Sequence, residues 1–146
     1  MKKTLLLIAV FGLCMGACKK KEFHGKVWFS EPTDKAELTS PIKVGMQVEG
    51  MKLKPAGDLE EGTGHFHILV NKEALAEGGL IPTDAEHLHF GAGQAETSLE
   101  LKPGDYSLTL QFADGHHVSY GSKWSQTIKI KVKDTAVANP DETPAY

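Results

Sequence analysis

The chain has 146 residues, with 16 basic and 19 acidic side chains, a formal net charge of −3 and only two cysteines. That length suits one domain with a core of its own. Every basic residue is a lysine, so the planar fork that grips phosphate or carboxylate bidentately is missing, and a mildly acidic surface without it argues against nucleic-acid binding.

The N-terminus reads in three parts: Lys2 and Lys3, the apolar run Thr4 to Leu13, and the small residues after Met15, Gly16 and Ala17, ahead of Cys18. That is the order of a secretory signal, and the apolar run is too short to span a bilayer. Small residues directly before a cysteine match the processing box of an exported bacterial lipoprotein. Residues 1–17 are therefore expected to be a signal peptide and Cys18 the lipidated residue. Cys14 is the weaker choice, because the bulky Leu13 precedes it. Acyl chains on Cys18 would anchor the protein outside the cytoplasm, and Lys19, Lys20 and Lys21 would favour an anionic surface. In a cell with two membranes, lysine rather than aspartate at position 19 points to the outer one. Removing Lys2 and Lys3 with the signal would take the net charge from −3 to −5. It would also leave the folded part without a thiol, which rules out disulfides, thiolate metal sites and a cysteine nucleophile there.

Beyond a short tether (18–24) the pattern has a period of two. Val27 and Phe29 flank Trp28, and Ile42, Val44, Met46 and Val48 alternate with polar residues or glycine. Phe66, Ile68 and Val70 repeat the pattern, as do Leu99 and Leu101, then Tyr106, Leu108, Leu110 and Phe112. Ile128, Ile130 and Val132 close the series. Turn residues separate these runs, including Glu31-Pro32-Thr33-Asp34, Pro55-Ala56-Gly57-Asp58, Lys102-Pro103-Gly104-Asp105 and Ala113-Asp114-Gly115. Asn71 to Glu77 is expected to make at most one helical turn. The expected architecture is all-β, an immunoglobulin-like sandwich of about seven short antiparallel strands over 25–133. Leu101 to Tyr106 also resembles the corner at which a tyrosine opens the penultimate strand of such a fold. A polar, proline-containing tail follows over 134–146.

Six of the seven histidines fall in three pairs: His65 with His67, His87 with His89, and His116 with His117. Spacing of two on a strand sends both imidazoles to one face. Phe66, Ile68 and Val70 claim the core face of their strand, and Leu88 and Phe90 claim that of theirs. Both pairs are thus expected on non-core faces, and if the strands are neighbours, four imidazoles converge. His116 and His117 would close the site from a loop. Imidazole suits zinc, copper and nickel, and without thiolate the expected ion is cupric copper or zinc. Met46 lies on an apolar stripe and Met51 just beyond it, so both read as packing residues. His24, beside the tether, reads as incidental.

The stretch from Val27 to about Val132 resembles a bacterial family known as domain of unknown function 4399. The residues that carry the likeness include Val48-Glu49-Gly50-Met51, Gly62-Thr63-Gly64-His65-Phe66-His67-Ile68-Leu69-Val70 and His87-Leu88-His89-Phe90-Gly91-Ala92-Gly93-Gln94-Ala95-Glu96-Thr97. The run continues through Leu99-Glu100-Leu101-Lys102-Pro103-Gly104. Relatives often carry three successive histidines where Phe66 interrupts this pair, and space the loop histidines more widely than His116 and His117. The resemblance implies a histidine-rich exported domain and brings no established reaction.

Three functions compete. A non-enzymatic metal-binding lipoprotein would carry, buffer or sense copper or zinc through His65, His67, His87, His89, His116 and His117, with Asp114 or Glu86 orienting an imidazole. A metal-dependent enzyme is the second reading. Gly64-His65-Phe66-His67 is superficially similar to the copper-ligand strand of copper–zinc superoxide dismutase, but no cysteine pair, zinc loop or guiding arginine accompanies it. No general base for a metal-assisted hydrolase is recognisable either. The third is an envelope or polysaccharide-binding module without metal, stacking sugars on Trp28, Trp124 or Tyr120.

Overall fold

The computed structural model describes residues 21–134. The expected signal peptide, the expected lipidation site Cys18 and nearly all of the expected tail lie outside them.

Among the described residues there are nine strands: β1 Lys26–Glu31, β2 Ala36–Thr39, β3 Ile42–Glu49, β4 Lys52–Leu53, β5 Thr63–Val70, β6 His87–Phe90, β7 Glu96–Leu99, β8 Gly104–Ala113 and β9 Ser125–Lys133. They form two sheets. One has the order β1-β3-β7, and the other β2-β9-β8-β5-β4, with β6 also paired to β5. The protein is all-β, as its two-residue periodicity demands, and the architecture is compatible with an immunoglobulin-like sandwich. The strand count exceeds seven because β2 and β4 are too short for alternation to reveal. Pairing is also not uniformly antiparallel, since β2 runs parallel to β9 and β4 parallel to β5.

The core lies between the sheets. Val27, Phe29, Ile42, Val44, Met46 and Leu99 come from the smaller sheet, and Phe66, Ile68, Leu108, Leu110, Phe112, Ile128, Ile130 and Val132 from the larger. Phe66 sits opposite Phe112 in the β5–β8 register, with ring centroids 5.2 Å apart. Truncating a fully buried phenylalanine of this kind costs about 3–5 kcal/mol. Met46 belongs to this core, and Met51 packs against it. The Tyr106 hydroxyl donates to the Lys102 carbonyl at 2.9 Å, which closes the tyrosine corner at the start of β8.

β5 is buried on both faces. The segment 71–86, which makes no helical turn, lies over the outer face of the larger sheet. The backbone of that segment is instead claimed by side chains of the larger sheet. The Thr109 hydroxyl donates to the Lys72 carbonyl at 2.8 Å, and the Leu75 amide donates to Gln111 Oε1 at 2.9 Å. The Ser119 hydroxyl donates to the Leu75 carbonyl at 3.1 Å. The chain after β8 then zips onto the same cover: the amides of Gly78 and Ile81 donate to the carbonyls of Ser119 and His117. Entry to β5 also needs a close backbone approach, because a Cβ on Gly64 would stand 2.2 Å from the Ala113 carbonyl oxygen.

Candidate metal centre

β5 pairs with β6 on one side and β8 on the other. In that register His67 stands opposite His89 and Gln111, while His65 stands opposite Ala113. Strand alternation puts Phe66 and Ile68 in the core and both histidines on the opposite face. That face is closed off by the covering segments rather than wet, so the side chains expected on a non-core surface are fully buried: His65 is 0% and His67 1% exposed.

Two further imidazoles reach this pair. His89 comes from the edge strand β6, and His117 from the turn between β8 and β9. One ring nitrogen from each of His65, His67, His89 and His117 lies within 4.8 Å of all the others. The Nε2 atoms of His65 and His67 are 2.9 Å apart, and those of His89 and His117 are 3.1 Å apart. Ligands 2.0–2.1 Å from one tetrahedral zinc ion would stand roughly 3.3 Å from each other. The two close pairs are near that spacing, and the 4.8 Å span of the whole cluster is somewhat wider than one ion requires. Two bare lone pairs facing each other repel, so each close contact needs a proton or a cation between its nitrogens.

The surroundings keep the inner imidazoles neutral. His65 is pushed down to about 4, first by burial and then by the neighbouring His117 and His89. His67 is pushed down to about 3, first by burial and then by His65, His89 and His117. His89 is lowered in the same way, by burial and by His117. Neutral imidazole is the form that binds metal, so protons offer little competition near neutral pH. The Nδ1 atoms of His65 and His67 are buried without a hydrogen-bond partner. That departs from the outer partner that usually orients a metal-bound histidine, and strand packing does the orienting instead.

Local structure fixes the outer pair. His117 adopts a left-handed backbone, φ 67°, inside the turn 114–118, which is uncommon for a residue other than glycine. The Asp114 carboxylate holds that turn, accepting from the amides of His116 at 2.8 Å and Val118 at 3.0 Å. Beside His89, a Cβ on Gly91 would come within 2.3 Å of the imidazole Nε2. Glycine at 91 thus leaves the space that the His89 ring occupies.

The other two expected ligands are not in this cluster. His87 lies two residues from His89 on the same face, a step of about 7 Å along the strand, and it faces Leu69. Its Nδ1 bonds the Asp84 carboxylate at 2.7 Å, and this bond is the main cause holding the Asp84 carboxyl below its ordinary range. His116 is exposed at the tip of the turn, because adjacent residues there diverge. Nor do the two expected orienting carboxylates touch an imidazole of the cluster through a hydrogen bond. Asp114 serves the turn backbone, and Glu86 pairs with Lys72 at 2.8 Å. Asp84 escaped the sequence reading, although its place three residues before His87 is the signal that would have found it. The aromatic residues considered for sugar stacking are differently placed: Trp124 is in the core, and the half-buried Tyr120 donates its hydroxyl to the Thr63 carbonyl.

No curated protein and no solved structure matches the chain. A family model does: that of a domain of unknown function, DUF4399, over residues 44–133, a stretch that holds all four clustered histidines. The match spans more than half of the sequence, and the chain belongs to that family.

Proposed function

We propose that this protein is an exported, membrane-anchored lipoprotein that binds one copper or zinc ion through His65, His67, His89 and His117, as a carrier, buffer or sensor. The observation that carries the reading is the convergence of four ring nitrogens within 4.8 Å from two strands and a turn. The donor set is all imidazole, which suits divalent copper and zinc better than a soft cuprous ion. Four protein ligands would complete a tetrahedral zinc shell, whereas catalytic zinc keeps one position for water or substrate. That favours holding an ion over using it. Export and lipidation rest on the order of Lys2, Lys3, the apolar run and Cys18.

Titration of the purified chain from residue 21 with zinc or cupric ion tests the metal reading. One equivalent is expected to bind with a dissociation constant below micromolar, and the His65→Ala, His67→Ala double variant should lose that site. Failure of the parent to bind either ion refutes the reading, and equal binding by the variant refutes the ligand assignment. The anchor is tested separately: Cys18→Ala should move the protein from the membrane fraction to the soluble fraction of the cells that express it.

A further inference from the structure

The four ligands are not equivalent, and their inequality gives the ion a direction of travel. His65 and His67 sit on β5, which is hydrogen-bonded on both sides, and they are 0% and 1% exposed. Neither ring, being fully buried, can swing out without displacing the atoms packed against it. His89 is exposed on the four-residue edge strand β6, and His117 is half-buried on a turn. The contact between His89 and His117 is itself an exposed one. The room beside the His89 ring exists only because residue 91 lacks a Cβ. An incoming donor therefore meets the outer pair first, and zinc tolerates a fifth ligand on the way.

We infer that metal is passed by direct ligand exchange across the His89–His117 face, to an acceptor that presents neutral nitrogen donors. This rests on the metal reading given above. The acceptor's first two nitrogen–metal bonds form as those from His89 and His117 break, and His65 and His67 keep hold of the ion until further acceptor nitrogens or water take their places. No electron moves, and the ion keeps its charge throughout. Transfer is thus a bimolecular event rather than a slow escape followed by capture.

Stopped-flow mixing of the zinc-loaded protein with 2,2′-bipyridine tests this. The observed transfer rate should rise in proportion to bipyridine over a tenfold range. His117→Ala, which opens a coordination position on the accessible side, should raise the second-order rate constant at least tenfold. His67→Leu removes a ligand from the closed side and should raise it several-fold less. A release rate that ignores bipyridine concentration overturns this inference alone, as does a larger acceleration by His67→Leu than by His117→Ala. A parent protein that takes up no zinc overturns the metal reading and this inference together.

Discussion

Stripped of metal by a chelator, the protein should lose stability steeply as the pH falls from 7.5 to 5. In the unfolded chain His65 and His67 take up protons near pH 6.5, whereas the fold holds them off until about pH 4 and about pH 3. Between those limits the unfolded state binds more protons, so stability rises with pH. The contribution is complete above about pH 6.5 and is lost progressively as the pH drops toward the folded values. From pH 7.5 to pH 5 each buried imidazole accounts for about 2 kcal/mol, or about 4 kcal/mol for the pair. The figure barely depends on how far below 5 the folded values lie. The limiting slope is about 2.7 kcal/mol per pH unit for two protons. Against a total stability of about 5–15 kcal/mol, that is a large share. His89, shifted the same way, adds to the slope. The lowered carboxyls of Glu37, Glu60 and Asp84 act mostly below pH 5, because their ordinary values are 4.5, 4.5 and 3.8. Urea unfolding in a chelating buffer at half-unit pH steps would measure the slope, and His67→Leu should remove about half of it. A flat profile between pH 7.5 and 5.5, or an unchanged slope in the variant, would show that the buried imidazoles are not held neutral by the fold.

The same His67→Leu variant should differ from the parent by less than about 1 kcal/mol at pH 7.5 without metal, because removing the unpartnered Nδ1 is offset by leaving His65 Nε2 without its 2.9 Å partner. Its zinc affinity should fall as one of four ligands is lost while three imidazoles still hold the ion, and a variant destabilised by more than about 3 kcal/mol in urea unfolding would contradict the account. Gly91→Ala alters no ligand, yet its Cβ would displace the His89 ring. Zinc affinity measured by calorimetry should fall about 10–100-fold, the range seen when a supporting residue is lost, and an unchanged affinity would show that the ring is free to sit elsewhere.

Much of this protein is legible without coordinates, because strands declare themselves by alternation. Phe66, Ile68 and Val70 assign the core face of β5, and that assignment alone puts His65 and His67 on the other side. The corner made by Tyr106 was equally readable from its neighbours, since its hydrogen bond to Lys102 spans only four residues. What alternation cannot supply is the covering of a face. Nothing local in Asn71 to Glu77 announces that Thr109 and Gln111, some 36 residues away, will draw that segment across the outer face of the larger sheet. Without that cover, the two inner histidines read as solvated surface. Membership of the site was decided by register as well. His87 and His89 share a spacing and a face, but only His89 falls opposite His67. His116 and His117 are adjacent, but one turn, held by Asp114, sends only the second inward. The sequence by itself determined the all-β class, the absence of thiols from the folded part and the imidazole character of any metal site. Tertiary structure decided which four of six histidines meet, and that two of them are buried and two accessible. Both depend on contacts between segments far apart in the chain.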